Sequence, residues 1–105
     1  MEINRELLRG RTTIVRVRNR EDETELCKEL DRLGYISYCQ ESLIDNHWNL
    51  YTRDLCYRIY TNRYNVKMVN YGSVDTYLEM KEIRSTEEIY EVADLKIIQY
   101  LYKEI

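Results

Sequence analysis

A strand, a helix and a second strand follow one another between residues 12 and 40, and this pattern most constrains the fold. Thr12–Arg18 is rich in β-branched residues and alternates in polarity, which is typical of a half-buried strand. Asn19 can cap a helix, and the acidic residues that follow it stand where the helix dipole favours carboxylates. Gly34 can end that helix in a left-handed conformation, so Tyr35–Gln40 is predicted to be the returning strand.

The remaining segments extend this unit into a larger sheet. Asp54–Tyr60 and Val66–Tyr71 alternate in polarity on either side of an asparagine-containing turn, which predicts a β-hairpin. Val74–Ile83 is predicted to add a further strand, and a capping-box pattern at Ser85 predicts a helix as far as about Lys103. The expected fold class is therefore α+β, with a mainly antiparallel sheet of about five strands and two helices packed on one face, in the order β-α-β-β-β-β-α.

Length and composition indicate one folded domain. A chain of 105 residues is the size of a single hydrophobic core, so one domain covering residues 1–105 is expected. The apolar fraction of 44% and the charged fraction of 33% are typical of a globular protein rather than a disordered chain. A short turn capped by Asn4 is predicted before the first strand.

Charge is unevenly distributed along the chain, although the formal net charge is only −3. Residues 1–20 contain six arginines and two glutamates, whereas residues 21–34 contain six acids and two bases. Residues 71–105 contain eight acids and four bases. The acidic total disfavours a strongly basic nucleic-acid-binding protein, but it is compatible with a local basic face.

Cysteine content and hydropathy point to a reducing cytoplasm. Cys27, Cys39 and Cys56 are an odd number without a Cys-x-x-Cys pair, so neither a disulfide framework nor a zinc site is expected, and the thiols are interpreted as core residues. No secretory signal is evident, and no apolar run approaches the ~20 residues of a membrane helix. No contact with a membrane is predicted.

Strand alternation assigns each side chain to one face of the sheet if both helices cover the same side. The covered face would contain Val15, Tyr57 and Met68, whereas the opposite face would be basic and aromatic and would suit a ligand or partner. The predicted binding residues on that open face are Arg16, Arg18, Arg58, Tyr60, Lys67, Tyr71 and Tyr77. The alternative is a solvated face of amphipathic side chains without a ligand.

Three other sets of residues are candidates for contacts. The long connection after the second strand contains His47 and Trp48. A second apolar stripe on the C-terminal helix would form a dimer contact through Leu95, Ile98 and Tyr102. Acidic helix faces would present a phosphate-like field to a basic cleft of a partner, and a solvated helix surface is the alternative. Those faces contain Glu21, Asp22, Glu25 and Glu29 in the first helix and Glu87, Glu88, Glu91 and Asp94 in the last.

No catalytic site, metal site or cofactor is predicted. His47 is the only histidine, and the sequence has no paired thiolates that could complete a metal site with it. Only three glycines are present, which disfavours a glycine-rich loop around a nucleotide phosphate. The chain is therefore expected to bind a partner rather than to catalyse a reaction.

The first strand and helix also resemble a group of known sequences. The run from Ile14 to Asp22, with Leu26, Leu30 and Gly34 after it, resembles the opening of small uncharacterised proteins encoded by phages and prophages of low-GC Gram-positive bacteria. The resemblance contains no catalytic residues. It implies an early, host-directed accessory role, because such small acidic products often bind and block a host protein, including CRISPR and other defence effectors.

Three functional hypotheses follow from the sequence. The first is a non-enzymatic inhibitor, encoded by a phage, that occludes a host defence or nucleic-acid-processing protein. The second is a module that binds a nucleotide or single-stranded nucleic acid with the basic and aromatic sheet face. The third is a self-associating structural protein that forms a homodimer through the C-terminal helix.

Overall fold

A computed structural model describes residues 2–9, 11–37 and 54–96. These residues form an α+β fold around a five-stranded mixed sheet, which confirms the predicted fold class. The strands are β1 (Thr13–Arg16), β2 (Ile36–Ser37), β3 (Leu55–Thr61), β4 (Lys67–Ser73) and β5 (Tyr90–Glu91). The helices are α1 (Arg20–Arg32), α2 (Val74–Glu79) and α3 (Val92–Leu95), and 3-10 turns occupy Arg5–Leu7 and Thr86–Glu88.

The strand order is β2-β4-β3-β1-β5, so the β3–β4 hairpin lies between the two strands that α1 connects. The long central pairings, β1 with β3 and β3 with β4, are antiparallel. The short edge pairings, β2 with β4 and β5 with β1, are parallel. The β3–β4 turn lies at one end of the sheet. Because β1 is antiparallel to β3 and β2 is parallel to β4, both β1 and β2 begin at this same end.

Helix α1 begins and ends where the sequence predicts. The Asn19 side-chain oxygen accepts a hydrogen bond from the Asp22 backbone N–H at 2.8 Å, which satisfies one of the free donors of the first turn. Gly34 has a φ of +90°, a conformation that costs an L side chain energy and a glycine little. The predicted turn with Asn4 as its cap is also present, because the Asn4 side chain accepts a hydrogen bond from Glu6 N–H at 3.2 Å.

The main core lies between α1 and one face of the sheet. Its apolar side chains come from α1, from every strand except β2, from α3 and from the N-terminal segment. Fully or almost fully buried members are Ile3, Leu8, Val15, Val17, Leu26, Leu30, Leu55, Tyr57, Ile59, Val69, Val92 and Leu95. Their burial is the largest favourable contribution to folding that the described residues show.

The opposite face of the sheet is covered by α2, which corrects the prediction of a strand at Val74–Ile83. Ser73 caps α2 by accepting a hydrogen bond from Thr76 N–H at 3.2 Å, and Val74 and Tyr77 occupy helical spacing on its buried side. A Cβ atom at Gly72 would lie 3.4 Å from the Tyr77 ring, so the glycine lets this ring lie close against β4. Helix α2 therefore covers the side of the sheet that the sequence predicted to be open, whereas Val92 and Leu95 of α3 pack on the α1 side.

The predicted long helix from Ser85 is also wrong over residues 85–96. The capping box is present, but it begins a single 3-10 turn, because the chain then enters β5 beside β1. Tyr90 pairs with Val15, and Glu91 pairs with Arg16. Backbone pairing with a strand far away in sequence thus overrides the local helical signal, and α3 contains only one helical turn.

Candidate functional site

The predicted assignment of side chains to the two faces of the sheet is correct for β1 and β3 and is reversed in β4. The hairpin pairs Thr61 with Lys67 and Tyr57 with Tyr71, and residues that directly oppose each other share a face. Because Tyr57 lies in the main core, Tyr71 lies on the α1 side, with its ring centroid 6.4 Å from that of Tyr57. Lys67 and Tyr71 therefore do not belong to the predicted binding face. The cause is a one-residue difference in register, which moves every side chain of a strand to the other face.

Arg58 and Tyr60 do share the face predicted for them, but side-chain contacts already occupy Arg58. Its guanidinium carbon lies 3.9 Å from the Tyr60 ring centroid, and its Nη2 lies 3.4 Å from a carboxylate oxygen of Glu82. Arg16 and Arg58 each have a buried Nε atom without a hydrogen-bond partner in the described part of the chain. This region therefore contains basic groups beneath the α2 segment instead of an open surface.

Arg18 and Tyr77 are also removed from an open binding face. Two nitrogens of Arg18 donate to the Glu91 carboxylate at 2.6 and 2.9 Å, which joins the end of β1 to β5. Tyr77 is 2% exposed, and its hydroxyl donates to the Asn70 side-chain oxygen at 3.2 Å. Tyr77 is thus buried, in a second apolar cluster on the α2 side of the sheet that also contains Ile14, Cys56, Val74 and Ile83.

Five of the eight predicted acidic residues make contacts within the fold. Their roles differ: three form ion pairs, and two accept hydrogen bonds from backbone N–H groups. The ion pairs are Glu29 with Arg32, Glu25 with Lys96 and Glu91 with Arg18, and the backbone acceptors are Glu88 and Asp94. The charges of Glu25, Glu29 and Glu91 are thus offset by cations of the same chain, which weakens the negative field that the sequence predicts.

The ion pairs predict acid sensitivity. Arg32 holds the pKa of Glu29 below its usual range by hydrogen bonding, and Arg18 does the same for Glu91. A carboxylate with a lowered pKa in the folded state stabilises the fold above its unfolded pKa of about 4.3, and this stabilisation is lost as the pH falls through the folded value. We therefore expect the free energy of unfolding, measured with urea, to decrease as the pH falls below about 4.3.

Glu91→Gln is the variant that tests this assignment. It should weaken the pH dependence of the free energy of unfolding between about pH 5 and about pH 3, because a glutamine side chain does not titrate in this range. Glu87→Gln is the matched control, since Glu87 is exposed and makes no ion pair within the described residues. Equal pH dependence of the two variants would contradict the role given to the Arg18–Glu91 pair.

The predicted loop and dimer residues lie mainly outside the described part of the chain. This applies to His47 and Trp48 and to Ile98 and Tyr102. Leu95 is described, and its exposed fraction is 0%. It packs in the main core, so it is not available for the dimer contact that the sequence predicts.

A basic cleft opens on the α1 side of the sheet, at the end where the β3–β4 hairpin turns. It has a volume of about 520 Å³. Its apolar residues are Leu8, Leu33 and Tyr35, of which Leu8 and Tyr35 are 6% and 7% exposed. A cleft of this size with an apolar floor is in the range that accommodates a small ligand.

Cations from two sides of the fold line this basic cleft. Arg5 and Arg9 come from the N-terminal turn, and Lys67 comes from the first residue of β4. Glu6 is the one acid among the lining residues, and its carboxylate lies 3.6 Å from Arg9 in a mainly exposed pair. Such a pair contributes little and leaves most donors of the guanidinium available.

Lys67 is held in place before any ligand binds. Its Nζ donates to the Leu33 carbonyl at 3.1 Å, at the negative end of the α1 dipole, and lies 5.7 Å from the Tyr35 ring centroid. An ammonium group has three donors, so this contact leaves two for an anion. Burial raises the pKa of Tyr35, so its hydroxyl stays protonated at neutral pH and remains a donor.

Sequence reasoning named Lys67 as a site residue but assigned it to the opposite face of the sheet, and it missed Arg5, Arg9 and Tyr35. The excess of arginine in residues 1–20 was the one sequence signal that pointed to this site. Arg11 belongs to the same arginine-rich segment and lies just before β1. Only the tertiary structure brings that segment beside the hairpin, whose turn contains Arg63. The resulting basic end of the molecule consists of Arg5, Arg9, Arg11, Arg63 and Lys67.

The chemistry of the basic cleft is that of an anion-binding site. Its lining residues offer guanidinium, ammonium and phenol donors, with Thr61 and Asn65 as further polar groups. None of the lining residues is a cysteine, histidine or serine. In the segments that the structure describes, no group of three potential metal ligands comes together.

Comparisons of the chain with protein-family models, with curated proteins and with solved structures found no significant match. Of the helices in residues 2–9, 11–37 and 54–96, none has the length and apolar character needed to cross a membrane.

Proposed function

We propose that the protein is a non-enzymatic binding protein and that the basic cleft binds a ligand that carries a phosphate group. The observation that supports this proposal is the convergence of Arg5, Arg9 and Lys67 around an apolar floor. Arginine suits the planar, bidentate recognition of phosphate oxygens, and lysine adds a point charge. The apolar floor suits the uncharged part of the same ligand, such as a sugar or base.

Calorimetric titration tests this proposal with thymidine monophosphate and, as the uncharged comparison, thymidine. The monophosphate should bind and thymidine should not, and raising the salt concentration from about 50 to about 200 mM should weaken binding. Lys67→Met should reduce the affinity for the monophosphate by about 10- to 100-fold, because a hydrogen bond to a charged group contributes about 1.5–3 kcal/mol.

Lys81→Met is the matched control. It removes the same charge from the turn after α2, which packs on the other face of the sheet. Its affinity for the monophosphate should equal that of the unaltered protein. The proposal is wrong if thymidine and its monophosphate bind equally, or if the two lysine variants weaken binding to the same extent.

Occlusion of a host protein is a second candidate function, and an exposed row of side chains favours it. Ile36 pairs with Met68, and Met68 pairs with Tyr60, so the three lie side by side across β2, β4 and β3. Ile36 is 52% exposed, and the other two are partly exposed. Apolar and aromatic side chains grouped in this way are typical of protein contacts.

This second candidate is the phage-encoded inhibitor of a host defence or nucleic-acid-processing protein that the resemblance implies. Its proposed place of action is the host cytoplasm, where the buried thiols of Cys27 and Cys56 would stay reduced. A pull-down from host lysate should recover one protein with the unaltered chain and lose it with Ile36→Glu. Recovery of the same protein by both would contradict a contact through this row.

A further inference from the structure

Tyr64 is an exposed aromatic residue next to the basic cleft. Of the seven tyrosines in the described residues, Tyr64 is the one that is mainly exposed, with 72% of its surface accessible. The Arg63 guanidinium lies 5.0 Å from its ring centroid, so the ring already has a cation beside it. An exposed tyrosine that is not needed for the core is available for a ligand.

The hairpin turn holds this residue in a defined position. The Asn62 side-chain oxygen accepts hydrogen bonds from the backbone N–H groups of Tyr64 and Val66 at 2.9 and 3.0 Å. Asn62 N–H also donates to the Val66 carbonyl at 2.9 Å, and Asn65 adopts a φ of 64°, which asparagine tolerates. Because the turn is already ordered, a ligand that stacks on Tyr64 pays little conformational entropy.

The turn also places Tyr64 close to the anion-binding groups. Asn65 lines the basic cleft, and the Cα atoms of consecutive residues are about 3.8 Å apart. Lys67 follows Asn65 by two residues and is the first residue of β4. A phosphate in the cleft and a flat ring on Tyr64 would therefore be neighbouring parts of one ligand.

We propose that the ligand of the basic cleft is a single-stranded nucleic acid, with one phosphate bound among Arg5, Arg9 and Lys67 and an adjacent base stacked on Tyr64. This inference rests on the proposed function of the cleft. Every base has a flat aromatic face, so stacking on an exposed tyrosine beside a positively charged groove binds single strands with little sequence preference. A mononucleotide would use the cleft alone.

The acidic net charge of the chain does not oppose this local binding. Charges further apart than about 8 Å are largely screened at physiological salt, so a strand at the basic end interacts mainly with the cations there. Three of the acids that contribute to the net charge, Glu25, Glu29 and Glu91, are already paired with cations elsewhere in the fold. Neutralising the one phosphate in the basic cleft predicts a slope of about 0.7 for the logarithm of the dissociation constant against the logarithm of salt concentration.

The test compares thymidine monophosphate with a thymidine hexanucleotide by calorimetry. The hexanucleotide should bind more tightly than the monophosphate. Tyr64→Ala should reduce the affinity for the hexanucleotide by about 5- to 100-fold and leave the affinity for the monophosphate unchanged. Tyr64→Phe should retain the affinity, because the ring and not the hydroxyl stacks. A DNA hairpin whose bases are all paired in its stem should bind less tightly than the single strand, because its bases are stacked within the duplex.

The outcomes separate this inference from the proposed function. If both ligands bind equally and Tyr64→Ala has no effect, the cleft binds a mononucleotide and the strand proposal is overturned. If the hexanucleotide binds tightly but does not respond to Tyr64→Ala, the stacking role is likewise overturned. If neither ligand binds, both the inference and the proposed function are wrong.

Discussion

Leu95→Ala is expected to reduce the free energy of unfolding by about 2–5 kcal/mol, the cost typical of a leucine-to-alanine change in a core. Leu95 is 0% exposed and belongs to the same buried cluster as Ile3 and Val92. Its carbonyl also accepts a hydrogen bond from Asn4 N–H at 2.7 Å, so this residue joins the end of the described chain to its beginning. Truncating the side chain leaves a cavity that the surrounding backbone can fill only in part.

Urea unfolding measures this loss of stability. Sedimentation measures the association state and so tests whether Leu95 forms a dimer contact instead. The variant should sediment as the unaltered protein does under conditions in which both are folded. Met80→Ala is the matched control, because Met80 is large, apolar and 61% exposed, and its removal should change the stability by less than about 0.5 kcal/mol. A change in association state with little change in stability would instead support a dimer contact at Leu95.

Tyr57→Phe is expected to destabilise the fold by about 1–3 kcal/mol, although it removes a single oxygen atom. The Tyr57 hydroxyl donates to a carboxylate oxygen of Glu23 at 2.9 Å, and the two residues are 1% and 3% exposed. Burial raises the pKa of Tyr57, which keeps the hydroxyl protonated and able to donate. Without it, a buried carboxylate loses a donor that water cannot replace.

A double-mutant cycle isolates this contact. Glu23→Gln in the Tyr57→Phe background should cost less than it does alone, because the hydrogen bond is already absent. Tyr60→Phe is the control, since Tyr60 is partly exposed and the substitution keeps the ring that lies against Arg58. Chemical denaturation at neutral pH measures the free energy of unfolding of the four proteins of the cycle and of the control. Additive effects of the Tyr57 and Glu23 changes would contradict the proposed coupling.

Local signals predicted the parts of the fold that depend on residues close together in sequence. The cap at Asn19, the left-handed Gly34 and the hairpin turn were predicted and are present, because each is stabilised by contacts within a few residues. The alternation of β1 and β3 also assigned their core residues to the correct face. The strand predicted at Val74–Ile83 failed because Ser73 caps a helix there.

Distant contacts decided the candidate site. The basic face predicted from alternation assumed helices on one side, but α2 covers the other side and the register of β4 turns Lys67 towards α1. The arginines of the N-terminal segment had no recognisable motif, so their position beside Lys67 could not be read from their spacing.

The sequence by itself determined the α+β class, the first helix with its two ends, the central hairpin and the excess of positive charge near the N-terminus. Only the tertiary structure decided which face each side chain of β4 occupies, that Leu95 is buried, and that the charged N-terminal segment meets the hairpin. The physical reason is range: caps and turns are stabilised by neighbouring residues, whereas strand order, register and the second helix depend on the packing of segments far apart in the chain.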